Sequence, residues 1–175
     1  MVRSRAALHH ALLALIVARS FGEITVRDIA TQAGVGYATF FRHYPSKEAL
    51  LEDAAADQIR QLVSMFLPVR LPIDTHASCV ALCKYVDQHR GLWSALLRGG
   101  AQHSMRDELA RVSMEVAGTV SNANKWLPAE LGVAVTASST VEILSWWLRQ
   151  PVRVPVKQVA QILDRLVMAP LHRSG

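Results

Sequence analysis

Leu8, Leu12, Leu15 and Ile16 recur at helical spacing near the start of the chain. Their period predicts a first amphipathic helix that ends near Phe21 and Gly22. Thr25, with Asp28 three residues on, has the pattern of a capping box that opens a second helix, and Val26, Ile29, Ala30 and Ala33 give that helix a narrow apolar face. Gly34 is placed to stop it in the left-handed conformation. A short third helix over 36–43 is ended by Pro45. Ser46 can cap a long fourth helix, Lys47–Phe66, whose positive end suits Glu48. Pro68 and Pro72 bracket a linker. Beyond it the pattern predicts helices over 74–89 (stopped by Gly91), 92–98 (stopped by Gly99 and Gly100), 102–126, Ala129–Arg149 and 155–168. No stretch alternates as a strand does, and there is no internal repeat.

With 175 residues the chain is long enough to bury a sizeable core, and at 51% hydrophobic and 19% charged it reads as globular. The net charge of +5 favours an anionic partner, nucleic acid or acidic membrane. That charge is uneven. Residues 1–50 hold six basic against three acidic side chains, so the N-terminal segment is the more basic per residue. Arg3 and Arg5 before the apolar run 11–18 mimic a signal peptide. The run flows straight into a capped helix, however, and is expected to be structural. It is also too short to span a bilayer, and no other segment is expected to be long enough. Cys79 and Cys83 lie four apart on one predicted helix, a poor placement for a disulfide, which suggests reduced thiols and a cytoplasmic location.

A helix, a glycine-containing turn and a short helix make a helix-turn-helix over 26–43, with Gly34-Val35-Gly36 as the turn. Val35 and Phe40 are expected to plug the junction. Tyr37, Ala38, Thr39, Arg42 and His43 are left outside, where they can reach phosphates or base edges. Lys47, at the start of the next helix, is expected to meet a phosphate.

The stretch 25–50, TVRDIATQAGVGYATFFRHYPSKEAL, resembles the DNA-binding segment of the TetR/AcrR family of bacterial transcriptional regulators. The resemblance implies an all-α fold. A helix-turn-helix DNA-binding domain over 1–46 would be joined by a long helix to a helical effector-binding and dimerisation domain over 47–175. It implies a homodimeric repressor that binds a palindromic operator in double-stranded DNA and is released by a small molecule, with no cofactor. By position, Arg27 and Tyr37 match places that read bases, with Ala38 close by, and Thr25, Thr39, His43 and Lys47 match places that contact phosphate. Phe41 stands where the family usually has tyrosine, and Gly36 where a polar residue is common.

In the remainder, Ala134, Ala137, Ser138, Val141, Ser145 and Leu148 form a stripe on Ala129–Arg149 that would let another helix approach closely. Val156, Val159, Leu163, Leu166 and Val167 make an apolar face on the last helix. By resemblance these two helices pair with their copies as a four-helix bundle. Met65, Phe66, Trp93, Met105, Met114, Trp126, Trp146 and Trp147 could line an apolar effector cavity, although large apolar residues at helical spacing are mostly core. His76, Cys79 and Cys83 share one helix face, so a thiol- or metal-responsive regulator stays open as an alternative. An enzyme would need a phosphate loop, a nucleophile and base pair, or a two-histidine helix motif, and none is recognisable. A basic protein on a membrane surface would use the Leu8 to Ile16 face, which is needed to cover the small DNA-binding module.

Overall fold

The computed structural model describes residues 2–66, 74–98, 100–117 and 127–172, and among them all regular structure is helical. The helices are α1 (Val2–Ala18), α2 (Val26–Gln32), α3 (Tyr37–His43), α4 (Lys47–Phe66), α5 (Thr75–Gln88), α6 (Arg90–Arg98), α7 (Gln102–Ala117), α8 (Ala129–Arg149) and α9 (Val156–Leu163). A single 3-10 turn, Phe21–Glu23, follows α1, and α9 runs on through a π-helical turn, Asp164–Met168, into Ala169–His172.

The boundaries follow local chemistry. Thr25 caps α2 reciprocally: Asp28 N–H donates to Thr25 Oγ1 at 3.1 Å, and Thr25 N–H donates to Asp28 Oδ2 at 2.9 Å. At the other end Gly34 takes φ of 66°. Its N–H donates to Thr31 O, and Val35 N–H reaches back to Ala30 O, which satisfies two carbonyls at the helix end. Ala49 N–H finds Ser46 Oγ at 3.2 Å, and Ala77 N–H finds Asp74 Oδ1 at 2.9 Å. Gly91 does not stop a helix. α5 ends at Gln88, with His89 as its C-cap, and Gly91 lies inside α6. The corner falls where Arg90 docks on α8, with its guanidinium over the Trp147 ring and on the Trp147 carbonyl. The Pro68 to Pro72 linker, Gly99, and the end of the expected 102–126 helix lie outside the described residues.

Leu8, Leu12 and Ile16 of α1, Ile29 of α2, Phe40 of α3 and Leu50, Leu51 and Ala54 of α4 are buried together. α1 also packs on α6, and α4 continues onto α7, which packs in turn on α8, while α5 lies against α9. α8 is long and apolar enough, by length and composition alone, to cross a membrane, contrary to the expectation from sequence. Its inner face, which includes Ala137, Val141, Leu144 and Trp147, is buried as the core helix of a folded body would be.

A Cβ at Gly34 meets nothing within 4 Å, so only the backbone conformation demands glycine there. Gly34→Ala is therefore expected to cost about 1–2 kcal/mol through left-handed strain, with no clash. Gly22→Ala, with equally open space and no such φ, should cost little. Urea unfolding of the two variants checks the difference.

Candidate nucleic-acid interface and cavity

α3 turns its Phe40 side into the core and its other sides outward. Tyr37 is 55% exposed and meets Phe41 edge to face at 5.1 Å between ring centroids. Ala38 and Arg42 are exposed, and Thr39 and His43 half-buried. Arg27 projects from α2 with no ion pair or hydrogen bond among the described residues. The structure thus leaves Arg27, Tyr37, Ala38, Thr39, Arg42 and His43 available to solvent near the end of the helix-turn-helix.

Two of the sequence-predicted contacts are already committed within the fold. Lys47 Nζ donates to the carbonyls of Ile24 (2.7 Å), Phe21 (3.0 Å) and Gly22 (3.3 Å) and sits 4.7 Å from the Phe21 ring centroid. An ammonium has three protons, and all three are used. Lys47 therefore ties the α1–α2 connection to the start of α4 instead of projecting towards a phosphate. The Thr25 hydroxyl proton goes to Asp28 Oδ2 at 2.8 Å, so that hydroxyl has none to offer a phosphate. The backbone and side chain of Thr25 in turn hold the Asp28 carboxyl below the usual range.

A group that sequence reasoning missed joins these elements. His9 Nε2 lies 2.9 Å from both Tyr44 Oη and Asp53 Oδ2, and His9 Nδ1 lies 2.9 Å from Asp57 Oδ2. Tyr44 Oη donates to Asp53 Oδ2 at 2.5 Å, and Arg5 pairs with Asp53 at 2.6 Å. Burial opposes the ionisation of Asp53, but hydrogen bonds from Arg5, Tyr44 and His9 prevail and hold it at about 2. Burial, followed by the bond to Asp53, pushes Tyr44 up to about 12. The signal was present in sequence as Arg5 and His9 four apart on one helix, and Asp53 and Asp57 four apart on another. Asp57 also pairs with Arg60, Arg60 with Glu108 of α7 at 2.7 Å, and Glu108 with Arg111.

Inside the helical body a cavity of about 230 Å³ is lined from α4, α5, α6, α7, α8 and the π-helical turn after α9. Trp93 and Met105 line it, as expected from sequence. Trp147 is fully buried but does not line it, with its Nε1–H on Val154 O at 2.9 Å. Trp146 faces outward at 40% exposure, and Met114 is half-buried away from the lining. The side chains of Met65, Phe66 and Trp126 lie outside the described residues. Ile59, Leu62, Val63, Leu97, Leu109 and Leu144 complete much of the wall. They were missed because aliphatic core and aliphatic lining carry the same pattern.

Cys79 and Cys83 are buried, and burial pushes both thiols up to about 12, far from thiolate chemistry. His76 is exposed and faces Asp164 at 3.7 Å. Among the described residues no cluster of metal-ligating side chains forms. The thiol- or metal-responsive alternative built on these three residues thus has no assembled site.

A capped helix-turn-helix with an exposed, basic second helix, carried on a helical body, is the architecture of a helix-turn-helix transcriptional regulator. Residues 8–54 match the model of bacterial regulatory proteins of the tetR family. An uncharacterised HTH-type transcriptional regulator of Mycobacterium tuberculosis is 25% identical over 118 residues, or 65% of this chain and 55% of its own length. The chain thus matches about half the length of the curated relatives. A TetR transcriptional regulator from Rhodococcus sp. RHA1 superposes with a TM-score of 0.72 at 15% identity, covering 99% of this chain and 100% of its own. RolR in complex with resorcinol superposes with a TM-score of 0.67 at 18% identity, over 94% of this chain and 87% of its own. The last two likenesses establish the fold alone.

The depressed Asp53 carboxyl sets a pH dependence. A carboxyl lowered on folding contributes stability above its ordinary value of about 4, and that contribution is lost as pH falls from about 4 towards 2. Asp53→Asn should cost about 2 kcal/mol near neutrality. The gap between variant and wild type should close as the pH is lowered below about 4. Urea titrations across that range test it, and a gap that does not change with pH would show that the carboxylate charge is not its source.

Proposed function

We propose that this chain is a homodimeric DNA-binding transcriptional regulator. It acts as a repressor that holds a palindromic operator in the cytoplasm and lets go when a small, largely apolar molecule enters the cavity. The observation that carries this reading is the outer surface of α3, where an exposed tyrosine and arginine stand on a helix whose other side is locked into the core. Base readout falls to Arg27 and Tyr37 with Ala38 beside them, and phosphate contact to Thr39, Arg42 and His43. Lys47 and the Thr25 hydroxyl are set aside because their protons are already used. Residues 1–46 serve as the DNA-binding unit and 47–175 as the effector and dimerisation unit. The role is binding rather than catalysis.

Two half-sites call for a two-fold protein. The surface that suits it is not the small-residue stripe as a whole. Ala137, Val141, Ser145 and Leu163 are buried within one chain, with Ser145 accepting from Gln102 at 2.9 Å. Ala134 and Ser138 are exposed, beside Leu131 and Val135 on α8 and with Trp146 further along it. Leu166, 70% exposed beyond α9, belongs to the same kind of surface. Small residues there let helices approach, and the large apolar ones gain from being covered.

α4 links the two activities. Its first turn is tied to the DNA-binding unit by Lys47, while Ile59, Leu62 and Val63 line the cavity. A ligand that prefers one tilt of α4 changes the separation of the two recognition helices, provided its affinity for the two states differs.

Selection of bound duplexes from a random pool should yield an inverted repeat. On that duplex Tyr37→Ala should lose roughly 1–3 kcal/mol per half-site, and much less on random DNA, with the salt slope nearly unchanged. Equal losses on both duplexes would make the tyrosine scaffold. Lys47→Met should lower thermal stability and leave the salt slope intact.

In sedimentation, Val135→Arg should give folded monomers that fail to hold the operator. Ala137→Arg, at a buried position, should unfold the chain instead. A wild-type monomer at micromolar concentration would sink the dimer.

A further inference from the structure

Two residues that line the cavity each carry a buried polar atom with no partner among the described residues. Trp93 is fully buried, and no acceptor meets its Nε1–H; Thr140 is 5% exposed, and its Oγ1 is equally unpaired. Both residues line the cavity. Buried polar groups are nearly always satisfied, so two orphans on one small cavity call for an explanation.

The neighbours sharpen the point. Thr136 also lines the cavity, one turn before Thr140 on α8, and its hydroxyl donates to Gly132 O at 2.7 Å. Ser78 lines it too and donates to Asp74 O at 3.0 Å. Trp147, the other fully buried tryptophan, gives its N–H to Val154 O. The remaining unpaired buried atoms belong to Asp87, Arg90 and Asp164, charged groups that face ion-pair partners and do not line the cavity.

Resting on the reading of this cavity as the effector site, we propose that its ligand is a compact, uncharged molecule carrying a hydrogen-bond-accepting oxygen, such as an aryl or short alkyl ketone, aldehyde or phenol. The indole of Trp93 can only donate, so the ligand must supply an acceptor, and the Thr140 hydroxyl can donate or accept beside it. Among the described residues no charged side chain lines the wall, so an ionised ligand would lose its hydration with nothing there to replace it. Size follows from volume. A cavity of roughly 150 Å³ takes a benzene ring, so about 230 Å³ suits a ring with a small substituent.

The test uses three probes of nearly equal size on the full chain, with affinity read by calorimetry and without DNA. Acetophenone has the acceptor, ethylbenzene lacks it, and benzoate carries a charge. Wild type should bind acetophenone at least about tenfold more tightly than ethylbenzene, a difference of about 1.4 kcal/mol, and benzoate should not compete. Trp93→Phe should erase the preference by weakening acetophenone alone. Thr140→Val should reduce the preference while leaving the unliganded chain at least as stable as wild type, because the hydroxyl it removes is unpaired. This second variant keeps the test open if Trp93→Phe does not fold. Equal affinity for acetophenone and ethylbenzene, preference for benzoate, or a preference that survives both substitutions would overturn the assignment. Operator release is measured separately. Selective acetophenone binding with no effect on the operator would remove the effector reading while leaving the ligand chemistry standing.

Discussion

His9 is the joint at which α1, the end of α3 and α4 are held together. It is buried, and each of its ring nitrogens lies 2.9 Å from a carboxylate of α4, while one of them also meets the Tyr44 hydroxyl that closes the recognition helix. One side chain thereby binds α1, the end of α3 and two successive turns of α4. A purely apolar joint would allow sliding, since dispersion is weakly directional, whereas hydrogen bonds to charged oxygens fix register. Lys47 adds a second tie, holding the α1–α2 connection onto the start of α4 through three carbonyls. The orientation of the recognition helix is thus set by α4 and not only by the small core beneath it.

α4 runs from this joint to the cavity. Its N-terminal half is polar-pinned, and its C-terminal half presents aliphatic side chains to a cavity. Between them, Arg60 bridges Asp57 and Glu108, so the pinned segment is also connected to α7. Hydrogen bonds from Arg111, and then from Arg60, hold Glu108 at about 2 against its burial. α7 contributes Met105 and Leu109 to the cavity wall. Filling that cavity would press on two helices that share an ion-paired seam. α1 meets α6 as well, which gives the wall a second route to the DNA-binding unit.

What was legible in the sequence was what local chemistry decides. The capping box at Thr25, the left-handed Gly34, and the spans Lys47–Phe66 and Ala129–Arg149 depend on neighbours within a few residues, and the structure has them where the pattern puts them. The misreadings involve partners distant in the chain. Gly91 looked like a stop, but the corner is where Arg90 docks on Trp147, 57 residues away. Lys47 looked free because its carbonyl partners lie more than twenty residues earlier. The stripe on α8 suits a facing chain by pattern, yet small residues permit close approach of any helix, and four of its six residues (Ala137, Val141, Ser145 and Leu148) pack inside. The π-helical turn at Asp164–Met168 also shifts register, so that Val167 points inward while Leu166 is exposed.

The cavity carries a physical tension of its own. A fold that left Trp93 and Thr140 unpaired and a volume empty would lose both dispersion contacts and hydrogen bonds relative to a packed core. The neighbouring Thr136 and Trp147 do find partners, and the other unpaired buried atoms, on Asp87, Arg90 and Asp164, belong to charged groups that face ion-pair partners. Local imperfection in an otherwise consistent structure tends to mark function, because selection removes it elsewhere. A ligand that fills the space and meets both groups recovers those losses only in the conformation that forms the cavity. Its affinity for that conformation then exceeds its affinity for any other, and this difference is what a switch requires.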